Sequence, residues 1–408
     1  MIIPIFCVEL LYFHFFLLSL SRIKNLIWLI KSYVMKIIYI TDALAIWGGM
    51  ERIIVEKVNE LTKRYGYEMF LITANQGNHP IPFPLHPLVT YHDLDVCFYK
   101  QYQFSGIRRL LKKLELKRLF HQRMIEQISQ IKPDLIVCCR ADMAEEVAKV
   151  KGNIPLVFES HTSRNAQRFV RAGWYTRMKE EWYNRSVRFA CQVVALTKGD
   201  AQDWRQINPN VCVIPNIVHL NPLSRTCNYD AKSVIFVGRF HAQKDIRSLL
   251  KIWFLVYQRH PDWTLHIFGG YGEEQNILLP QIQQMNANIV VHEPTDDIFN
   301  RYLESSIFLL TSIFEPFGLV LPEAMSCGLP VVAFDCPYGP ADIITDGKDG
   351  FLIKNRDINV FVEKTCLLIE NPELRKTMGQ AGVQSAKRYD ASLIMPLWKE
   401  LFESVVAI

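Results

Sequence analysis

Short apolar segments alternate with amphipathic helical stretches along most of this sequence. The runs Ile37–Thr41, Asp134–Cys138 and Ile307–Leu310 have the length of buried strands, and a segment with helical periodicity follows each of them. Strands that are largely apolar are typical of parallel sheets covered on both faces. Because the 408-residue chain is longer than one typical core accommodates, we predict an α/β protein with two doubly wound, Rossmann-like domains.

The chain divides into four predicted segments. They are an apolar amino-terminal extension (residues 1–34), a first domain (35–220), a second domain (221–390) and a carboxyl-terminal helix that crosses back to the first domain (391–408). The polar stretch around Pro222 indicates the linker between the domains. Met35 directly precedes the first strand, so we favour a natural start at Met35, with a membrane-anchoring extension as the alternative. A secretory signal peptide is not predicted, because no basic residue precedes the apolar run and no small-residue cleavage site follows it.

The composition is that of a globular protein in a reducing compartment. Hydrophobic residues make up 50% of the chain and charged residues 21%, which excludes a disordered protein. The ten cysteines include no Cys-x-x-Cys pair, so we interpret them as free thiols and not as a disulfide or zinc framework. We therefore expect a cytoplasmic protein.

The charge is distributed unevenly along the chain. The net charge is +5, and basic residues are concentrated in the amino-terminal half. This asymmetry fits a phosphate-bearing partner or an anionic membrane, with an ordinary solvated surface as the alternative. Nothing else in the sequence supports binding to nucleic acid.

The segment from Ser105 to Lys132 predicts a basic amphipathic helix. It is rich in Lys and Arg, contains only two acids, Glu115 and Glu126, and has an apolar stripe of leucines. Such a helix suits a peripheral contact with the inner face of a membrane, and a solvated outer helix is the alternative. The preceding residues 75–103 lack periodicity and predict a long loop. Aromatic and Arg residues between 164 and 188 either line an acceptor groove or cover the domain.

Two carboxylates frame a turn at the carboxyl end of a predicted strand. Glu315 and Glu323 follow the strand Ile307–Leu310, and a helix begins near Leu321. Doubly wound sheets bind ligands at the carboxyl ends of their strands, and the first amides of a helix are unpaired donors suited to phosphate. Carboxylates beside an anion site indicate a ligand that also carries hydroxyl groups. The stretch therefore predicts binding of a nucleotide sugar.

Cations, a glycine pair and a histidine occupy other strand ends. Arg239 and Lys244 follow a predicted strand at the start of a helix, where two cations can neutralise a diphosphate without a metal. Gly48 and Gly49 join the first strand to the first helix, either as a phosphate-binding loop or as a plain tight turn. His161 lies at the end of a further strand, on the functional rim of the sheet.

With these residues in place, the chain from Met35 onward resembles the family 4 retaining glycosyltransferases of the GT-B fold. The most specific motif is Glu-x7-Glu, here Glu315 to Glu323. The supporting motifs are, in chain order, Ala-Leu-Thr-Lys (195–198), Val-Ile-Pro-Asn (213–216), Val-Gly-Arg-Phe with Gln-Lys (237–244) and Asp-Gly-Lys-Asp-Gly-Phe-Leu-Ile (346–353). The resemblance implies two domains that face a cleft.

The resemblance assigns the phosphates of the donor to both domains. Arg239 and Lys244 would bind the diphosphate of the nucleotide sugar, and Gly48 and Gly49 would close over it from the first domain. Backbone groups of the turn would assist, namely those of Phe317, Gly318 and Leu319.

The resemblance also assigns the sugars and the base. Glu323 would hold the ribose hydroxyls, Glu315 would contact the transferred sugar, and His161 would stand beside that sugar as a further catalytic residue. The backbone near Pro294 would touch the base. Such enzymes often have Gly at this position, and Pro offers one N–H fewer.

The implied activity is a retaining, metal-independent transfer of a hexose or N-acetylhexosamine. The expected donor is UDP-linked, and the expected acceptor is a surface glycan, such as a lipopolysaccharide or capsule, or a lipid-linked saccharide. No cofactor is expected beyond the donor as co-substrate. A nucleotide-sugar epimerase on the same fold and a non-catalytic sugar-binding protein are the alternatives.

Overall fold

The computed structural model describes residues 34–169, 173–223, 225–270 and 272–407. Except for Val34, the predicted amino-terminal extension (residues 1–34) lies outside these ranges. The described residues form two parallel β-sheets with helices on both faces, which confirms the predicted fold class. Within these ranges, no helix combines the length and the apolar character that crossing a bilayer would require.

The first sheet contains seven parallel strands in the order β3-β2-β1-β4-β5-β6-β7. The strands are β1 (Lys36–Thr41), β2 (Glu68–Thr73), β3 (Thr90–Asp93), β4 (Leu135–Cys138), β5 (Leu156–Glu159), β6 (Gln192–Ala195) and β7 (Val211–Val213). The helices between them are α1 (Gly49–Tyr65), α2 (Gly106–Ile131), α3 (Ala141–Val150), α4 (Ala166–Phe169), α5 (Trp174–Asn184) and α6 (Lys198–Trp204). Because β1 pairs with both β2 and β4, the winding reverses between β1 and β4, which opens a crevice at their carboxyl ends.

The second sheet contains six parallel strands in the order β10-β9-β8-β11-β12-β13. The strands are β8 (Ser233–Val237), β9 (Thr264–Phe268), β10 (Ile289–His292), β11 (Ile307–Leu310), β12 (Val331–Phe334) and β13 (Gly350–Ile353). The helices are α7 (Ile246–Arg259), α8 (Gln275–Gln284), α9 (Ile298–Leu303), α10 (Val320–Ser326), α11 (Gly339–Ile343), α12 (Ile358–Glu370), α13 (Pro372–Ala386) and α14 (Ala391–Val406). Here the winding reverses between β8 and β11.

Apolar side chains cover both faces of each sheet. In the second sheet, Phe236 packs on one face with Trp253 of α7, whereas the neighbouring Ile235 packs on the other face with Leu321 of α10. Successive strand residues point to opposite faces, so a strand buried on both sides is mostly apolar, except where a buried polar group such as Glu159 has partners. This is the origin of the continuous apolar runs in the sequence.

The last helix, α14, packs on the first domain. Ile394, Trp398 and Phe402 recur at helical spacing and join the same apolar core as Ile54 of α1. The ammonium group of Lys57, also on α1, lies 4.1 Å from the centre of the Trp398 ring. The chain thus returns to its first domain after completing the second.

The predicted loop at residues 75–103 contains regular structure, so that prediction is partly wrong. It includes β3 and a 3₁₀ helix, Phe98–Gln103. Strand β3 lies at the edge of the sheet and pairs with β2, with Thr90 opposite Phe70. Its four side chains are exposed or half-buried, so the sequence has no apolar run there from which a strand could be predicted.

Candidate functional site

The candidate residues of the second domain meet at the switch point between β8 and β11. Arg239 follows β8, Lys244 lies before α7, and Glu315 follows β11. The loops after β8 and β9 touch through their backbones, since a Cβ on Gly269 would lie 2.2 Å from the carbonyl oxygen of Gly238. Gly269 has a φ of +139°, so both its conformation and the close approach require glycine.

Lys244 and Glu315 form an ion pair at the bottom of this crevice. Nζ of Lys244 lies 2.5 Å from Oε1 of Glu315, and the hydroxyl of Ser312 donates to the same carboxylate oxygen at 2.6 Å. The preceding residue, Gln243, anchors the lysine turn: its side-chain amide donates to the carbonyl oxygen of Phe314 at 3.0 Å. Both charged side chains are therefore fixed in position, and Glu315 is buried.

Arg239 is exposed on the wall of the crevice. Glu51 lies in the first turn of α1, in the other domain. Burial raises the pKa of Glu51, and the positive charge of Arg239 is among the effects that oppose that rise. The two side chains are therefore close enough for their charges to interact across the cleft.

The turn at Phe317, Gly318 and Leu319 passes from β11 into α10. Gly318 has a φ of +93°, a conformation that favours glycine. The turn packs closely on the start of α11, because a Cβ on Gly339 would lie 1.8 Å from the carbonyl oxygen of Phe317. The N–H of Glu315 also donates to the carbonyl oxygen of Pro337 at 3.1 Å. These contacts hold the turn, which was predicted to offer backbone amides, against the loop that leads into α11.

Glu323 lies on α10 and is contacted from the opposite domain. Its side chain is 4% exposed, and its carboxylate accepts a hydrogen bond from the guanidinium group of Arg52 on α1. Arg52 also lies 3.8 Å from the carboxylate of Glu56. Burial and the nearby carboxylate of Glu323 raise the pKa of Tyr302. The acid predicted to bind ribose therefore already has a charged partner across the cleft.

The loop at Gly48 and Gly49 faces the turn of the second domain. A Cβ on Gly49 would lie 3.1 Å from Cδ1 of Leu319, so the structure brings together two predicted elements that lie far apart in sequence. A Cβ on Gly48 would lie 2.1 Å from Oε2 of Glu51. The carboxylate of Glu51 thus folds back over the glycine loop.

His161 lies at the carboxyl end of β5, as predicted, but its ring faces the protein interior. The side chain is 2% exposed, and Nε2 lies 3.3 Å from Oε1 of Glu159. Glu159 contacts the ammonium group of the buried Lys57 and accepts a hydrogen bond from the hydroxyl of Tyr39 at 3.1 Å. Burial, reinforced by the charge of Lys57, lowers the pKa of His161 to about 4. The histidine is therefore neutral at neutral pH and lies beneath the cleft surface.

The group around His161 and the single acid of β3, Asp93, are the candidates to be considered for metal binding. Among the described residues, ligand atoms of Cys139, Glu159 and His161 lie within 4.8 Å of one another. The ammonium group of Lys57 already neutralises Glu159, and it would repel a metal ion at that position. Asp93, in an Asp-Leu-Asp run, lies on edge strand β3, where it accepts a hydrogen bond from Thr73. Neither group belongs to the switch point of the second sheet.

Pro294 follows β10 and is exposed. Its ring packs near the loop after β9, since a Cβ on Gly270 would lie 3.4 Å from its Cδ. His292, two residues before Pro294, stacks on Phe268 with the two ring centres 4.2 Å apart. It also shares a 2.9 Å hydrogen bond with His266. The predicted base-contact position thus adjoins an aromatic stack at two neighbouring strand ends.

Further contacts bridge the domains beside the cleft. The hydroxyl of Tyr338 donates to Oδ2 of Asp203 on α6 at 2.7 Å, and Tyr338 has a φ of +89°, which is costly for a residue other than glycine. The N–H of Lys198 donates to the carboxylate of Asp342 at 2.7 Å. Lys198 belongs to the Ala-Leu-Thr-Lys motif, but the sequence did not predict either contact, because no motif connects the two residues of each pair.

Glu51 and Arg52 were also not predicted as site residues, although their position in the sequence indicates that role. They follow Gly48 and Gly49 after one residue, Met50, and an acid next to a base in the first turn of a helix that starts at a predicted phosphate loop indicates charged side chains near the ligand. Their side chains are the ones that approach Arg239 and Glu323. The candidate site is therefore a cleft with charged residues from both domains.

Both domains match known family models. Residues 47–221 match the model described as Glycosyltransferase Family 4, and residues 225–385 match the model described as Glycosyl transferases group 1. These two ranges include every candidate residue named above.

Similar proteins extend over nearly the whole chain. An uncharacterized glycosyltransferase from Haemophilus influenzae is 29% identical over 363 residues, which is 86% of this chain and 95% of that protein. The amylovoran biosynthesis glycosyltransferase AmsD from Erwinia amylovora is 26% identical over 386 residues, covering 90% and 99%. A crystal structure of a TarM mutant from S. aureus in complex with fondaparinux, α-GlcNAc-glycerol and UDP superposes with a TM-score of 0.74 at 16% identity, covering 90% of this chain and 100% of that one. This likeness confirms the GT-B fold.

Proposed function

The chain belongs to the group 1 and family 4 glycosyltransferases, and on that premise we propose that it moves a sugar from a UDP-linked donor to a saccharide acceptor with retention of configuration. The transferred group is a hexose or an N-acetylhexosamine. The acceptor is a growing surface glycan or a lipid-linked saccharide. The UDP in the TarM complex and the biosynthetic role in the name of AmsD support these choices.

One observation carries the proposal: two cations and two buried acids converge on the switch point of the second sheet. In this proposal Arg239, after β8, and Lys244, paired with Glu315, bind the diphosphate of the donor. Glu323 accepts hydrogen bonds from the ribose hydroxyls, and Glu315 contacts the transferred sugar. In a doubly wound sheet this position is the expected ligand site.

The remaining candidate residues take supporting roles in the proposal. Gly48 and Gly49 cover the phosphates from the first domain, opposite the backbone of the Phe317–Leu319 turn. Pro294 adjoins the base. His161 has a structural role beneath the sugar side of the cleft and does not contact the sugar, because its ring faces Glu159 and not the open crevice.

The proposed chemistry is stabilisation of a departing phosphate. The bond between the anomeric carbon and the β-phosphate oxygen breaks, and an acceptor hydroxyl attacks from the same face. The hydroxyl proton passes to the leaving phosphate. Arg239 and Lys244 lie where negative charge develops, and such preorganised groups are typically worth a hundredfold or more in rate. Glu315, paired with Lys244, need not act as a nucleophile, and no step requires a metal.

The acceptor side fits a peripheral contact with an anionic membrane. Helix α2 exposes apolar side chains beside its basic residues, among them Ile107, which is 77% exposed, and Leu110 and Leu111. Helix α5 adds Trp174, which is 75% exposed. The two helices lie close enough for their charges to interact. Burial lowers the pKa of Lys113 on α2, and the charges of neighbouring lysines, including Lys179 of α5, lower it further. A basic surface with exposed aromatic and aliphatic groups suits the inner face of a cell membrane, and we propose a cytoplasmic enzyme at that face.

A donor screen tests the proposed function. The purified protein is incubated with UDP-linked and GDP-linked sugars, with and without lipid-linked saccharide acceptors, and release of the nucleoside diphosphate is measured. We expect UDP release that depends on the acceptor, together with an α-linked product from an α-linked donor. Isomerisation of the nucleotide sugar without UDP release would instead identify an epimerase. Binding of the nucleotide sugar with no turnover would identify a non-catalytic binding protein.

A further inference from the structure

The first turn of α1 places an acid and a base against the two halves of the donor site. Arg52 reaches across the cleft and hydrogen-bonds the carboxylate of Glu323, the group assigned to the ribose hydroxyls. Glu51 covers the loop at Gly48 with its carboxylate, and it is the acid whose charge interacts with Arg239. Each side chain thus has the charge opposite to that of the group it faces.

The contact between Arg52 and Glu323 excludes the proposed ligand. Glu323 is 4% exposed, so few directions of approach to its carboxylate remain. A ribose diol and the guanidinium group both donate hydrogen bonds, and both would compete for the oxygens of this nearly buried carboxylate. Because Arg52 contacts Oε1, a diol that binds both oxygens displaces Arg52 at least in part.

Arg52 has a second partner to receive it. Glu56 lies one turn further along α1, with its carboxylate 3.8 Å from Nε of Arg52. Burial raises the pKa of Glu56 to about 7, with Arg52 opposing the rise and the charges of Glu323 and Glu60 adding to it. Closer approach of the guanidinium group would stabilise the ionised form of Glu56. The arginine can thus move without being left as an unpaired cation.

We propose that Glu51 and Arg52 occupy the donor site in the nucleotide-free protein and are displaced by the diphosphate and the ribose. This inference rests on the proposed function, because it concerns the same site. Arg52 then acts as a positioning residue: its contact with Glu323 holds the cleft closed until a nucleotide arrives. In the wild type, the donor must break this contact in order to bind, and that cost reduces its apparent affinity.

The expected effect of removing Arg52 has an unusual sign. Removing a cation near an anionic ligand ordinarily weakens binding, because an electrostatic attraction is lost. If Arg52 competes with ribose, its removal strengthens binding instead. The sign of the change in affinity therefore distinguishes a displaced residue from one that binds the phosphates.

The test is calorimetric titration with UDP, using GDP as the second nucleotide. The proteins are the full-length wild type, Arg52→Met, and Arg64→Met as a matched control. Arg64 lies on the same helix and pairs with Glu60 of that helix, so its loss changes the charge of α1 without touching the cleft. We expect Arg52→Met to lower the dissociation constant for UDP about fivefold or more, the usual lower range for coupled equilibria, and Arg64→Met to leave it unchanged.

A second variant keeps the test valid if Arg52→Met folds poorly. Arg52→Ala removes the same contact and places a strong helix former at this position. It should also tighten UDP binding, and Arg64→Ala, away from the cleft, should not. Small-angle scattering adds a measurement without nucleotide: the radius of gyration of Arg52→Met should exceed that of the wild type, because the cleft opens.

The outcomes separate this inference from the proposed function. Binding of UDP with an unchanged or higher dissociation constant in Arg52→Met overturns the displacement of Arg52 and leaves the proposed function intact. If neither nucleotide binds to any of the proteins, the proposed function fails, and the inference fails with it.

Discussion

Nζ of Lys244 lies 2.5 Å from Oε1 of Glu315, although the two residues are 71 positions apart in the chain. The lysine follows a strand on one side of the switch point, and the glutamate follows a strand on the other. The reversal of winding between β8 and β11 is what brings them together. The pair therefore connects the topology of the sheet directly to the proposed chemistry.

Replacing Lys244 by methionine should lower kcat/KM by about a hundredfold or more, because a cation aimed at the leaving phosphate is lost. Acceptor-dependent UDP release measures this effect. The thermal midpoint should fall as well, since Glu315 remains buried without its charged partner.

The double variant Lys244→Met/Glu315→Gln separates the two effects. Its thermal midpoint should recover towards that of the wild type, because no unpaired charge remains, whereas its turnover should not. A Lys244→Met protein that keeps more than half of the wild-type turnover would contradict the assigned role.

Replacing Arg239 by alanine should abolish most transfer without changing stability. Arg239 is exposed, so its removal leaves no cavity, while the diphosphate loses one of two cations. Turnover and thermal midpoint are measured in parallel. Lys251→Ala, at an exposed position of α7, is the control and should change neither quantity. Equal activity losses in the two variants would disprove a specific role for Arg239.

Protonation of His161 should destabilise the protein in acid. Its pKa is about 4 in the folded state against 6.5 for the free side chain. The stabilising contribution is therefore complete above pH 6.5 and is lost as the pH falls towards 4, and it amounts to roughly 3 kcal/mol over that range. Urea unfolding of the wild type and of His161→Gln at several pH values measures it.

The difference between those two proteins isolates the histidine. Glu159, Lys57, Tyr39 and Cys139 surround His161 and remain in both proteins. The wild type should lose more stability than His161→Gln between pH 7 and pH 4. Parallel pH profiles would show that the ring does not stay neutral when it is buried.

Replacing Leu110 and Leu111 by glutamate should weaken binding to anionic vesicles by on the order of tenfold or more, since apolar area is lost and negative charge is added next to the lipid. Co-sedimentation with phosphatidylglycerol vesicles measures binding, and phosphatidylcholine vesicles serve as the reference. Leu393→Glu, at an exposed position of α14, is the matched control. Wild-type protein that fails to bind anionic vesicles, or a double variant that binds as well as the wild type, would refute the membrane contact.

Much of the fold could be predicted from the sequence because both sheets are buried on both faces. This burial makes β4 and β11 apolar throughout and β1 apolar from Ile37 to Ile40, and such runs are easy to recognise. Edge strand β3 was missed for the same reason, since its side chains reach solvent. Glu315 and the other candidate residues could then be identified, because they follow the carboxyl ends of predicted strands.

The sequence could not predict which way side chains turn or how the domains face each other. His161 was correctly placed at a strand end, but its burial depends on Lys57 and Glu159, which come from a helix and a strand far apart in the chain. The contact of Arg52 with Glu323 spans 271 positions and depends on closure of the two domains. Neither helical nor strand periodicity contains that information.

Helix α14 has a consequence for how the protein is made. The ribosome synthesises α14 after all strands of both sheets, yet Trp398 and Phe402 belong to the core of the first domain. Until α14 has been synthesised and has docked, α1 presents an uncovered apolar face, and Lys57 lacks the Trp398 ring beneath its charge. The core of the first domain is thus begun before the second domain is made and completed only after it.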